Sequence, residues 1–256
     1  MLGAIAGDII GSPYERRPHT STDFPLFGPD STFTDDTVLT AAIAHSILTG
    51  CDYREALLDF ANRYPHRGYG GRFKNWVRLG GPGPYNSLGN GSAMRVSPVG
   101  FAFDSLEEVL REARRSAAVT HDHPEGIKGA QATATAVFLA RTGSTRDQIR
   151  QSIEEIVGYD LSTPIDEIRP TYRFDVTCQG SVPQAIICFL QSSDFEDAVR
   201  KAVSLGGDSD TQAAIAGGIA QAFYGGVPVP IAAAAMARLD DHLRSVVTQF
   251  RQKYGC

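Results

Sequence analysis

The sequence predicts an all-α fold, and three observations predict it. Apolar residues recur at three- and four-residue spacing through most of the chain. Capping residues precede these stretches, and glycines or prolines close several of them. No segment alternates apolar and polar residues over a useful strand length, and no repeat or low-complexity stretch occurs.

Residues 2–11 read as a short helix in which Gly3, Ala6 and Gly7 allow close packing. Asp8 lies in this apolar element, and its plainest role is a buried, hydrogen-bonded carboxylate. Residues 12–33 are rich in Pro, Thr and Ser and have no period. Long unstructured loops are often functional; Glu15, at the start of this one, is by spacing alone a surface acid. A helix over 35–49 carries Val38, Leu39, Ala42, Ile43 and Ile47 and ends at Gly50. A second, over 53–63, buries Ala56, Leu57, Phe60 and Ala61. A glycine-rich stretch follows, around a short helix with Phe73, Trp76 and Val77. Helices are expected over 105–118, from Pro124 to about 141, and over 145–157. Residues 158–177 read as loop. Residues 181–191 read as a buried helix with Pro183 in its first turn. Residues 194–204 form an amphipathic helix capped by Asp194. The helix after Asp210 is nearly all small residues, which suits the centre of the protein. One or two helices fill 229–251.

The 256 residues are read as one domain with chain enough for a real core. The hydrophobic fraction of 42% and charged fraction of 21% are those of a soluble globular protein. A net charge of -5 weighs against nonspecific nucleic-acid binding. The opening MLGAIAGDIIG has no basic region and is broken by Asp8, unlike a signal peptide. No apolar run is long enough to span a membrane. The four cysteines form no CxxC pair, so free thiols in a reducing cytoplasm and no zinc site are expected. A monomer is expected.

Two acidic clusters carry the chemistry: Thr34-Asp35-Asp36-Thr37 and Asp208-Ser209-Asp210-Thr211. Each sits where a helix begins, and helix capping explains either one alone. It does not explain two acids plus hydroxyls at both places. Neighbouring helical residues point about 100° apart, so Asp35 and Asp36 can each serve one of two adjacent ions. Asp208 and Asp210 can do the same from the other side. Carboxylates about 4 Å apart repel by roughly 4 kcal/mol at an effective dielectric of ~20, so a joint site needs cations. All-oxygen ligation selects Mg, Mn or Ca over Zn.

A third feature is NSLGNGSAMRVSPVGF. Its glycines allow close backbone approach, and a helix starting near Ser92 would aim free N–H groups at a phosphate or ribose. A plain glycine turn with a Ser or Asn cap is the simpler explanation, since such loops are common. His121 and His123 precede a helix without a metal-binding partner at proper spacing. Hydrogen bonding at the helix start is the simpler role for both, with substrate contact second for His121.

These motifs together resemble the ADP-ribosylglycohydrolase family, which includes dinitrogenase reductase-activating glycohydrolase. GAIAGDIIGSPYE resembles the family's opening motif, FTDDT its first metal motif, GNGSAMR its substrate loop and GGDSDTQAAIAGGIAQAFYG its second metal motif. The resemblance spans nearly the whole chain. It implies an all-α fold with a dinuclear Mg or Mn site in a central cleft. It implies Thr34, Asp35, Asp36, Asp208, Asp210 and Thr211 as metal ligands. Ser87, Gly89, Asn90, Gly91, Ser92 and Met94 match the loop holding ADP-ribose, and His121 matches a substrate-lining histidine. Glu15 matches an acid used at the metal site and in catalysis, and Asp8 a residue behind the ligands. Leu88 departs from relatives that carry an aromatic there. The implied reaction removes ADP-ribose from a modified protein, nucleic acid or small molecule. Glu15, Asp36 and Asp210 are the implied catalytic acids, with Glu15 either the general base or a ligand. Hydrolysis of a small conjugate such as O-acetyl-ADP-ribose, and ADP-ribose binding without turnover, are the alternatives.

Overall fold

The computed structural model describes residues 1–256, and the chain is all-α, as expected. The helices are α1 (Leu2–Gly11), α2 (Asp35–Thr49), α3 (Tyr53–Arg63), α4 (Gly71–Arg78), α5 (Gly91–Met94), α6 (Ser97–Ala102), α7 (Leu106–Ala118) and α8 (Pro124–Arg141). They continue with α9 (Arg146–Val157), α10 (Ile165–Ile168), α11 (Cys178–Leu190), α12 (Phe195–Val203), α13 (Ser209–Phe223), α14 (Val229–Ala237) and α15 (Asp241–Tyr254). One isolated antiparallel bridge, Gly89 to Thr177, is the only sheet-like pairing.

Helix α13 is the axis. It is buried from Ser209 to Gln221 and packs against α1, α12, α11 and α8. Its many small residues make this possible by letting neighbouring helices approach closely on several sides. Against it runs α1 in the opposite direction, and the two meet backbone to backbone. A β-carbon added to Gly3, Gly7 or Gly11 would collide with the carbonyl oxygen of Gly217, Ala213 or Ser209. The three glycines are four residues apart and so share one face. The Gln221 side chain closes the far end, its Oε1 accepting from the Met1 and Gly3 N–H groups at 3.0 and 2.7 Å.

Local structure departs from expectation in several places. Helix α11 begins at Cys178, so Pro183 lies in its second turn, not its first. Thr177 starts the helix early, its Oγ1 accepting from the Gly180 N–H at 3.1 Å. Pro183 gives up the hydrogen bond to the Gln179 carbonyl and crowds that carbonyl. The 158–177 stretch contains a single helical turn, α10, after Pro164. The helix of the glycine loop is one turn long, followed by the separate α6, where Pro98 suits the first turn. The C-terminal stretch holds two helices, within the expectation of one or two, the second capped by Asp240. Asp208 occupies the N-cap position of α13, but its side chain makes no capping bond.

The glycine seam makes a direct prediction. Gly7→Ala overpacks a backbone contact and should destabilise the protein by about 1–3 kcal/mol or more. Gly28→Ala, at a position with open space around it, should leave the thermal midpoint within about a degree on the ±0.5 kcal/mol scale of surface changes. Equal midpoints for the two variants, read by calorimetry, would remove the seam as a constraint.

Candidate active site

The site begins with Asp8. It is fully buried, and α1 presents it to the start of α2. Its Oδ2 accepts from the backbone N–H groups of Thr34 and Thr37 at 3.0 and 3.1 Å, and from the Thr37 hydroxyl. Its Oδ1 accepts from Thr34 Oγ1 at 2.7 Å. Asp8 therefore does from another helix the work that an N-cap does locally. Thr34 Oγ1 also accepts from the Asp36 N–H at 3.2 Å. The carboxylates of Asp35 and Asp36 are left with no capping duty.

The fold brings the two acidic clusters together. Thr211 Oγ1, at the start of α13, lies 3.4 Å from Asp36 Oδ2, and Thr34 Oγ1 lies 3.5 Å from the same oxygen. Asp36, Asp208 and Asp210 are only 3%, 6% and 5% exposed. Asp36 Oδ1 has no hydrogen-bond partner at all. No ion pair in the molecule involves Asp8, Glu15, Asp35, Asp36, Asp208 or Asp210. Burial, reinforced by neighbouring carboxylates, accordingly raises their proton affinities. Asp8 is pushed up to about 6 by burial, against the pull of its threonine bonds. Asp35 is pushed up to about 8, by burial and then by Asp8. Asp36 and Asp210 rise well above the usual range for the same two causes, burial and adjacent acids. Glu15 is raised by burial and then by Asp208.

All of these except Asp8 line one cleft of about 370 Å³. Ser87, Gly89, Asn90, Gly91, Met94 and His121 line it too. The Asn90 side chain donates to Asp208 Oδ2 at 2.7 Å and to Ser181 Oγ at 3.1 Å, tying the loop to the second acidic cluster. Ser92 is placed differently from the reading of the sequence. Its hydroxyl is fully buried and donates to the Gly126 carbonyl at 2.6 Å, away from the cleft. His123 caps α8, Nδ1 accepting from the Glu125 N–H at 3.1 Å, and is not part of the cleft.

Several lining residues were not found from the sequence. Gly68, Gly70 and Arg72 come from the entry to α4, and Tyr85, Phe174 and Val176 from loops. Gly68 has φ of +103°, and an added β-carbon would stand 2.9 Å from Asp35 Oδ1. The density of glycine around residue 70 was the available signal. For Phe174 and Val176 the signal was the unusual length of their loop.

The carboxylates do not converge on a single point: no three His, Cys, Asp or Glu side chains stand where one ion would take all of them. The donor set still fits divalent cations. It is hard oxygen throughout, it mixes hydroxyls with carboxylates, and it is buried with no ion-pair partner.

Comparison with known proteins decides the relationship. The family model described as ADP-ribosylglycohydrolase matches residues 1–254. The chain belongs to the ADP-ribosylglycohydrolase family. As a member it is an enzyme that hydrolyses glycosidic bonds. The chain is 30% identical to ADP-ribosylhydrolase ARH3 of Mus musculus, across 90% of this chain and 84% of that protein. It is 26% identical to the ADP-ribosylarginine hydrolase Tri1 of Pseudomonas putida, across 88% of this chain and 69% of that one. A solved structure titled ADP-ribosylglycohydrolase-related protein complex superposes with a TM-score of 0.71 at 26% identity, covering 98% of this chain and 96% of that chain. No helix is long and apolar enough to cross a membrane, and all four cysteines are unpaired.

The raised carboxyl groups set the pH dependence of stability. A carboxyl whose folded pKa is raised stabilises the fold while protonated and loses that contribution as pH rises through the folded value. With Asp8 moved from 3.8 to about 6 and Asp35 from 3.8 to about 8, the metal-free protein should lose stability from about pH 4, the unfolded value, up to about pH 8. Added Mg or Mn should reverse most of that loss at pH 8. Thermal midpoints in chelator across this range test it; a midpoint that rises with pH would contradict the burial of these charges.

Proposed function

We propose that the chain is a divalent-cation-dependent hydrolase that cleaves the ribosyl C1 glycosidic bond of an ADP-ribosylated macromolecule and releases ADP-ribose. The observation that carries this reading is the meeting of the two acidic clusters at Asp36 Oδ2, inside a cleft that also holds the glycine loop. The names of the relatives, ADP-ribosylhydrolase and ADP-ribosylarginine hydrolase, support the substrate class.

Thr34, Asp35, Asp36, Asp208, Asp210 and Thr211 would hold two cations, Mg or Mn. Bound there, such cations supply Lewis acidity toward ribose hydroxyls and water. The remaining work falls to the chain's own groups. Glu15, on the cleft wall with its proton affinity raised, takes the proton of the attacking water as general base. Asp36 and Asp210 orient the ribose and oppose the positive charge that develops at C1 as the bond breaks. The Gly91 and Ser92 N–H groups begin a helical turn and have no acceptor within it. Gly91, which lines the cleft, offers its N–H to the diphosphate; Ser92, fully buried and outside the lining, anchors the loop to Gly126. Tyr85 and Phe174 offer rings at the cleft wall, where Leu88 offers none.

The decisive experiment is turnover on defined ADP-ribosylated peptides, oligonucleotides and O-acetyl-ADP-ribose, with and without chelator. Activity should vanish in chelator and return with Mg or Mn; full activity in chelator removes the cations from the reading. Asp36→Ala and Asp210→Ala should each nearly abolish turnover, and the double variant should lose little more, because both disable one site. Multiplicative losses would mean independent roles.

Glu15→Gln keeps the size of the side chain and removes its charge. If Glu15 is the base, turnover should fall by roughly 10²–10⁴, with ADP-ribose affinity by calorimetry changed less than about 10-fold, the scale of one hydrogen bond. Recovery of turnover at high Mg would instead make Glu15 a ligand.

A further inference from the structure

The chemistry above leaves one buried cation without a task. Arg95, at the end of the glycine loop, is fully buried, and no carboxylate pairs with it. Its Nη2 donates to the Ser116 carbonyl and to Thr120 Oγ1, both at 2.9 Å. Its Nε and Nη1 have no acceptor. Isolated buried charge is costly, so a structural account of Arg95 based on stability alone is weak.

The contact with Thr120 leads to the cleft. Thr120 is fully buried, and its Oγ1 lies 2.7 Å from His121 Nδ1. The proton positions follow from donor capacity. A guanidinium only donates, so Thr120 Oγ1 accepts from Arg95. The hydroxyl's own proton has two acceptors near it: His121 Nδ1, in a short 2.7 Å hydrogen bond, and the Tyr85 hydroxyl, with which Thr120 makes no bond of good geometry. The reverse arrangement, with Nδ1–H donating to Oγ1, leaves the hydroxyl proton only that poorer acceptor. Nδ1 is therefore the acceptor, and the imidazole proton sits on Nε2. Nε2 faces the glycine floor of the cleft: a β-carbon on Gly91 would lie 3.2 Å from it, and one on Gly89 3.7 Å.

We propose that Arg95 is a positioning residue, acting through Thr120 to hold neutral His121 in the Nε2–H tautomer, so that the ring presents a hydrogen-bond donor to a substrate oxygen above Gly89 and Gly91. This rests on the reading that ADP-ribose occupies the cleft. Burial, with the Arg95 and Arg72 guanidiniums nearby, also keeps the His121 pKa well below its ordinary 6.5, so the ring stays uncharged. An Nε2–H ring cannot take a proton at the atom facing the substrate. The base must then be a carboxylate, which agrees with the role given to Glu15.

The test is spectroscopic. Full-length protein labelled with ¹⁵N-histidine contains six imidazoles, and His121→Gln identifies the signals of His121. The wild type should show a protonated Nε2 and a bare Nδ1. Thr120→Ser, which keeps the hydroxyl, should show the same. Thr120→Val and Arg95→Met should show a mixture of tautomers. ADP-ribose affinity by calorimetry should fall about 3- to 10-fold in Thr120→Val and be rescued in Thr120→Ser, as expected for one poorly oriented hydrogen bond. A protonated Nδ1 in the wild type, or a spectrum unchanged by Thr120→Val, overturns the proposal. The wild-type spectrum decides alone if the variants do not fold. Failure of ADP-ribose to bind the wild type, with the expected tautomer present, would count against the functional reading and leave the relay standing.

Discussion

The structure depends on the backbone contact between α1 and α13. Because Gly3, Gly7 and Gly11 let the two helices touch, the start of α13 lies beside the end of α1. Asp8 then projects from α1 onto the start of α2. The two acidic clusters are about 170 residues apart in the chain, and this one seam fixes both relative to α1. Interiors are close-packed, so a shift at the seam is transmitted and not absorbed.

The second constraint opposes the first. The seam drives several carboxylates into an enclosed cleft with no lysine or arginine paired to them. Hydrophobic burial of the surrounding helices must offset that repulsion. Such arrangements persist where function requires them, since a more stable sequence would replace at least one acid. Asp8 receives the fullest relief, four hydrogen bonds. Asp208 has one from Asn90, Asp210 one from the Thr211 N–H and Asp36 a long one from the Thr211 hydroxyl, so the cluster stays under-compensated and its donor set suits cations.

Much of this was legible in the sequence. The acidic clusters stood out because hydroxyls and adjacent acids exceed what capping needs. The helices stood out through periodicity, and Gly3 and Gly7 through their small size in an apolar element. What stayed hidden depends on tertiary contacts. Gly11 reads as a helix end until Ser209 is seen against it. Pro183 reads as a first-turn residue because the Thr177 cap lies outside the apolar run. Ser92 reads as a cleft residue from its loop, yet the approach of α8 at Gly126 captures its hydroxyl. Phe174, Val176 and Tyr85 lie in aperiodic segments, where no pattern marks which side chains face inward.

The glycine loop is tied directly to the second acidic cluster. Leu88 and Asn90 are fixed by backbone bonds to the opposite loop, Asn90 N–H to the Val176 carbonyl at 2.8 Å and Cys178 N–H to the Leu88 carbonyl at 2.9 Å. The Asn90 amide nitrogen is meanwhile engaged with Asp208 and Ser181. That side chain can offer a ligand only its carbonyl oxygen, because both amide protons are engaged. A ligand that moves the loop must therefore also move Asp208, and through Val176 the wall that Phe174 belongs to. On the proposed reading, a ligand held by the loop and the geometry of the second acidic cluster would be linked by contact, each favouring the arrangement that the other requires.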